Sequence, residues 1–327
     1  MPLEIIRDDI SRLSTDAIVH TTNTNLIRGR GSSESIFKSA GFKLEEALQE
    51  IGHCEVGEAV ITLGFNLASK YIIHTVGPVW IDGLHNESKV LEACYKGCLA
   101  LALKHELKSI AFPLISAGTY GYPKDEALRM ATSTIQSFLL KHEMKVYLVV
   151  FDKQVYQLST QLFDSVKQYV DDHYVEIRGS RQRINSEETN FRTYKKISYE
   201  SSTSIDDILL ELDSSFSETL LKLIDQKDLR DVDVYKRANI SKAHFSKIRS
   251  HKDYRPTKTT VLAFCISLKL NLSETRDLLE KAGFSLSNSS KGDIIVRYFI
   301  ENKRYDIYEV NEVLFEYDQQ LLGSNTI

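Results

Sequence analysis

The sequence lacks any apolar run approaching the roughly 20 residues that a membrane-spanning helix needs. Its opening, MPLEIIRDDI, has none of the layout of a secretory signal. Cysteine is scarce: Cys54, Cys94, Cys98 and Cys265 show neither metal-ligand nor disulfide spacing. Cys94 and Cys98 fall four apart, on one face of a helix. Reduced thiols in a cytoplasmic protein are therefore expected, with no metal and no cofactor. An excess of positive charge is also missing. Forty-one Lys and Arg against 45 Asp and Glu give a net charge of -4, which excludes a globally basic nucleic-acid binder but leaves room for a local basic patch. No convincing internal repeat is present.

What is there is an ordinary globular composition, 42% hydrophobic and 26% charged, over 327 residues, a length that suggests about two domains. The first half alternates apolar runs with helical patterns. The runs are 3–6, 17–19, 59–63, 71–76, 110–115 and 146–151. The clearest helices are 88–106 and 123–142, and in the former Val90, Leu91, Cys94, Cys98, Leu99, Ala102 and Leu103 make a wide apolar face. Another helix, roughly 153–173, closes the unit. This alternation predicts a layered α/β fold with a largely parallel sheet. Residues 176–204 are polar and aperiodic, which predicts a linker or a mobile insertion. From 205 to 327 the pattern predicts a separate all-α domain.

Two loops carry the chemistry. Residues 110–123 read IAFPLISAGTYGYP: a buried-strand pattern, a turn of small residues with one aromatic, and a proline at a helix start. Residues 16–41 repeat the scheme, with Gly29 and Gly31 just before a helix beginning near Ser33. Glycine lets backbone approach a ligand closely, and the free N–H groups of turns and helix starts attract anions. Two such loops at strand C-terminal ends point to one crevice, where open α/β sheets bind ligands. A ligand with two phosphates and sugar hydroxyls suits it.

These residues resemble the macrodomain family, the module that binds ADP-ribose. The family's Gly-Asp-Ile-Thr and Asp-Ala-Ile-Val-Asn-Ala-Ala-Asn blocks correspond to Asp8-Asp9-Ile10-Ser11 and Asp16-Ala17-Ile18-Val19-His20-Thr21-Thr22-Asn23. Residues 70–78 and 115–123 match further blocks, so the resemblance spans about 1–175. It implies a three-layer α/β/α fold with a mixed, largely parallel sheet of about six strands. It also implies that Asp9 accepts from the adenine amino group, with Ile10 against the ring, and that Asn23 binds the distal ribose. Gly29, Arg30 and Gly31 would wrap the diphosphate together with Ser116, Ala117, Gly118, Thr119, Tyr120 and Gly121. Tyr120 would pack on the distal ribose and Phe151 against adenine. Taken alone, Asp9 could equally cap a turn, Phe151 could be core, Tyr120 could be a surface residue, and His74 reads as a hydrogen-bonded core histidine.

The departures from the family concern catalysis. Members that hydrolyse ADP-ribose esters usually carry Asn at the position of His20 and a Gly-Gly-Gly-Val-Asp run after Asn23. Here that run reads Arg28-Gly29-Arg30-Gly31-Ser32-Ser33, and the acidic residue tied to water activation falls on Ser33. A serine is no carboxylate base at neutral pH. His20 and Ser33 are the catalytic candidates, His20 because its ordinary pKa lies near neutrality. Without the carboxylate, a phosphate of the ligand could still hold the attacking water. Arg28 and Arg30 could contact phosphate, fill the distal-ribose end, or lie solvated on the rim.

In the C-terminal half, residues 216–284 hold five short helical patterns. The stretch from Val234 to Arg249 resembles the helix-turn-helix of phage-repressor-type domains. Ala238 is the small crossing residue, Asn239 the left-handed turn residue and Ser241 the N-cap, with Phe245 and Ile248 inward. Lys242, His244, Lys247 and Arg249 would face out and, with Lys252 and Arg255, meet DNA; solvated basic residues or protein contact are the alternatives. The Tyr-, Phe- and acid-rich segment 292–322 would pack on this domain or pair two copies. Three functions follow: recognition of ADP-ribose or of an ADP-ribosylated macromolecule, ADP-ribosyl hydrolysis, and metabolite-sensing regulation of transcription.

Overall fold

The computed structural model describes residues 3–150, 165–173, 214–251 and 253–323. Phe151, Lys252 and the expected linker 176–204 lie outside them. Six strands form one sheet: β1 (Leu3–Ile6), β2 (Ala17–Thr22), β3 (Ala59–Leu63), β4 (Tyr71–Val76), β5 (Ser109–Pro113) and β6 (Lys145–Val149), in the order β1-β6-β5-β2-β4-β3. All neighbours run parallel except β3, which is antiparallel to β4. Parallel strands covered on both faces read as unbroken apolar runs, and β2 is nearly continuously buried for that reason.

Alternate residues of the strands enter two separate cores. Ile18, Ile72, Ala111 and Val149 pack with Ile36, Phe37, Leu44 and Leu48 of α1 (Ser32–Ala40) and α2 (Lys43–Ile51). Val19, Ile73, Ile110 and Phe112 pack with Leu91, Tyr95 and Leu99 of α3 (Glu87–Lys104) and with Ala131 and Ile135 of α4 (Lys124–Leu139). The result is the expected α/β/α sandwich. Helix α2 had no sequence expectation: it follows α1 after only Gly41 and Phe42, with Gly41 at positive φ making the break. Residues 165–173, within the expected closing helix, are helical.

The C-terminal region is all helical among the described residues: α5 (Phe216–Gln226), α6 (Asp231–Arg237), α7 (Lys242–Ser250), α8 (Lys258–Ser267), α9 (Leu272–Lys281), α10 (Lys291–Glu301) and α11 (Ile307–Glu316). The first five realise the five patterns between 216 and 284. Full capping boxes start α5 (Ser215, Glu218) and α9 (Asn271, Glu274). Helix α8 is the core of the bundle, with Val261 to Ser267 all buried. The helical region packs on the β1 edge of the sheet. Asn239, between α6 and α7, bonds both backbone groups of Leu3. Arg7 pairs with Asp318 at 2.7 Å and lies over the Phe315 ring, while Lys236 Nζ donates to the carbonyl of Leu140 at 2.8 Å. Segment 292–322 thus packs within the chain, on the sheet edge as well as on its own helices. No described helix is long and apolar enough to cross a membrane, and the four cysteines are unpaired and buried.

Candidate functional site

A cavity of about 780 Å³ opens at the C-terminal ends of β2, β5 and β6. Both glycine-bearing loops line it, as the sequence predicts. Asp9, Ile10, Asn23, Gly29, Arg30, Gly31 and the run from Ser116 to Tyr120 all lie on its wall; Gly121 closes the turn behind, at φ 70°. Tyr120 Oη reaches the carbonyl of Thr22 at 3.5 Å, so the two loops touch across the cleft.

Local chemistry sets each wall. Asp9 does cap a turn: its Oδ1 accepts from the Ser11 N–H and Oγ at 3.0 and 2.8 Å, which starts the 3-10 turn Ile10–Arg12 and leaves Asp9 at the cleft. Asn23 pins its own loop, accepting from the N–H groups of Asn25 and Ile27 and donating to the Ile27 carbonyl. Helix α1 begins at Ser32 after Gly31, which has φ 69°, so the first-turn N–H groups have no intrahelical acceptor. Ser116 adopts φ 62°, a costly conformation for a non-glycine residue. Gly77 makes it possible: a Cβ there would sit 2.1 Å from Ser116 Oγ.

Two buried hydroxyls on this wall, Thr22 Oγ1 and Ser116 Oγ, have no hydrogen-bond partner among the described residues. Buried polar groups are almost always paired, because an unpaired one costs about 1–3 kcal/mol. Both hydroxyls open onto the cleft, where a bound group could satisfy them. Ser116 was expected at the site; Thr22, present only within the family's Asp16 to Asn23 block, was not among the expected site residues.

Beneath the cleft runs a buried polar chain. His20 Nε2 lies 2.8 Å from Ser33 Oγ, which also accepts from the Gly29 N–H at 2.9 Å. His20 Nδ1 lies 2.8 Å from His74 Nδ1, and His74 Nε2 lies 2.8 Å from Thr62 Oγ1. Thr62 donates onward to the Leu63 carbonyl at 3.2 Å. Both imidazoles are fully buried. Burial pushes the pKa of His20 down to about 4; burial, and then the neighbouring His20, push that of His74 well below its ordinary value. Both are neutral near pH 7. His74 is the hydrogen-bonded core histidine expected, but its partner is a second candidate of the site.

The arginines separate. Arg28 turns to Glu34 at 3.4 Å, while Arg30 lines the cleft and has no ion-pair partner among the described residues. Elsewhere, Asp82, His85 and Glu87 gather metal-ligand atoms within 4.8 Å. Glu87 is already occupied there, accepting from the N–H groups of Ile81, Asp82, Gly83 and His85, so it serves as a loop clamp.

In the helical region the expected turn geometry is present: Asn239 has φ 55°, Ala238 is buried, and Ser241 accepts from the His244 N–H at 3.2 Å. Lys242, Lys247, Arg249 and Arg255 are exposed, Arg249 being paired with Asp231. His244 is a correction. It is only 9% exposed, and its Nε2 bonds Tyr254 Oη at 2.6 Å. Its position four before Ile248 places it on the inner face of α7, not the outer one.

A three-layer α/β/α fold with a cleft at the strand ends is the setting in which the comparisons with known proteins are read. Residues 19–131 match the Macro domain family model. A macro domain-containing protein of Chlorobaculum tepidum is 44% identical over 161 residues, 47% of this chain and 93% of the relative. The O-acetyl-ADP-ribose deacetylase of Salmonella typhimurium is 42% identical over 166 residues, 49% of this chain and 93% of that protein. A solved Oceanobacillus iheyensis macrodomain with ADP is 36% identical and covers 51% of this chain and 92% of its own, with a TM-score of 0.47. The chain belongs to the macrodomain family. The matches account for about half of its length.

Proposed function

We propose that the cleft binds ADP-ribose, either free or attached to a macromolecule, and acts on groups carried by its distal ribose. The observation that carries this reading is the pair of orphaned hydroxyls, Thr22 Oγ1 and Ser116 Oγ, in a cavity edged by a helix N-terminus and a strained small-residue turn. Asp9 and Ile10 then receive adenine, the loops at 29–31 and 116–121 wrap the diphosphate, Arg30 adds a charge-assisted contact, and Asn23 and Tyr120 face the distal ribose. The name of the Salmonella relative, an O-acetyl-ADP-ribose deacetylase, supports a hydrolytic use of the same cleft. Titration calorimetry with ADP-ribose tests the reading; Thr22→Val and Ser116→Ala are expected each to weaken binding about tenfold.

A second reading concerns the helical region. The exposed Lys242, Lys247, Arg249 and Arg255, beside a capped helix after a left-handed turn, support contact of α7 with DNA through a helix-turn-helix arrangement. Such a protein would regulate transcription in response to an NAD-derived metabolite. A salt-dependent mobility shift on duplex DNA that changes with ADP-ribose tests it; no shift at low salt contradicts it.

A further inference from the structure

We infer that Ser33 is the nucleophile of an ester-cleaving site in this cleft, with His20 as its base and His74 as the positioning residue; this rests on the reading of the cleft as an ADP-ribose site. Direction follows from counting protons. Thr62 donates to the Leu63 carbonyl, so its oxygen accepts from His74 Nε2. His74 Nδ1 then carries no proton and accepts from His20 Nδ1. His20 Nε2 is left as an acceptor, and the proton between it and Ser33 belongs to the serine. Among the described residues, this direction gives every proton of the chain an acceptor. It presents Ser33 Oγ, on the cleft wall, to a base whose tautomer is fixed by a third group, the arrangement that activates a hydroxyl.

Gly29 adds to it by donating to Ser33 Oγ, which favours negative charge on that oxygen. Ser33 also stands in the first turn of α1, whose free N–H groups are the donors at hand for an oxyanion. Both imidazoles are neutral near pH 7, as a base must be before it takes a proton.

The substrate is an acyl ester on a distal-ribose hydroxyl. Ser33 Oγ bonds to the acyl carbon as its proton passes to His20 Nε2. The carbon–oxygen bond to ribose then breaks, and the ribose oxygen takes that proton, leaving ADP-ribose and acyl-Ser33. Water attacks the acyl carbon and gives a proton to His20; the carboxylic acid departs, and Ser33 Oγ recovers the proton. One ester and one water become ADP-ribose and one acid.

The test uses the full chain and a synthetic acetyl ester of ADP-ribose. Rapid quenching and peptide mass analysis should find one acetyl group on Ser33 during turnover. Ser33→Ala and His20→Ala should each lower kcat at least about a hundredfold, with ADP-ribose affinity changed less than about threefold. His74→Gln should lower kcat while leaving KM near its original value. Should the alanine variants fold poorly, the acetyl-Ser33 adduct of the unmodified chain decides alone. Turnover without that adduct, or turnover that survives Ser33→Ala, overturns the assignment, as does a chain that binds ADP-ribose yet leaves the ester intact. A chain that fails to bind ADP-ribose at all overturns the reading of the cleft itself.

Discussion

Asn239 closes a two-bond ring on Leu3, with Leu3 N–H donating to Oδ1 and Nδ2 donating to the Leu3 carbonyl, each at 2.9 Å. Leu3 belongs to β1, the edge strand, whose outward backbone groups would otherwise be open to another chain. The side chain of a helical turn thus acts as a one-residue strand. The position also needs a residue that tolerates φ 55°, and asparagine meets both demands.

Asn239→Ala should therefore destabilise the protein by about 2–4 kcal/mol, from two unpaired backbone groups and a left-handed alanine. Asn239→Gly, which keeps the backbone freedom and loses the bonds, should cost less. Chemical denaturation of the two variants separates the contributions.

The buried histidines make the fold acid-labile in a defined window. His20 in the folded chain holds its proton only below about 4, whereas the unfolded chain binds one near 6.5. Between those values the unfolded state carries more protons, so stability falls as pH falls. His20 alone accounts for a loss of about 3 kcal/mol by pH 4, and His74 acts in the same direction. Melting temperature from pH 7 to pH 4.5 should decline steeply in the native chain and more gently in His20→Asn.

Glu312 has the opposite sign. Burial between α11 and α4 is the main cause that pushes its carboxyl up to about 7; Asp306 and Glu309 add to this, while the hydrogen bond from Thr132 and the charge of Arg129 oppose it. The folded chain then binds the extra proton between about 4.5 and 7, and stability falls as pH rises through that window. Glu312→Gln should gain about 2.5 kcal/mol over the native chain on moving from pH 5 to pH 8. Parallel denaturation curves at the two pH values check this.

The loop arginines should behave differently. Arg30 lines the cleft and Arg28 is held by Glu34. Arg30→Ala should weaken ADP-ribose binding about threefold to tenfold and flatten its salt dependence, whereas Arg28→Ala should change it less than twofold.

Much of this site was legible before the structure. The strand–loop–helix units at 16–41 and 110–123 have sequence signals for strand, turn and helix start, and both line the cleft. The chain from Thr62 to Ser33 was not legible as a unit. His20 and His74 face each other because β2 and β4 pair in register, and Ser33 reaches His20 only through the turn at Gly31. Register across 54 residues has no local signal. His244 failed for a related reason: one helical step decides inward or outward, and Tyr254 fixes that step from outside the helix. The polar part of the docking of the helical region rests on single side chains, Asn239 and Arg7 at the β1 edge and Lys236 at the end of α4, none distinguishable by type from surface residues.

The most direct measurement is titration calorimetry of the full chain with ADP-ribose at neutral pH, repeated with Thr22→Val, Ser116→Ala and the double variant. The account predicts saturable binding of one ADP-ribose per chain, about tenfold weaker in each single variant and weaker again in the double. Absence of saturable heat with the native chain, or affinity unchanged in both single variants, would contradict it.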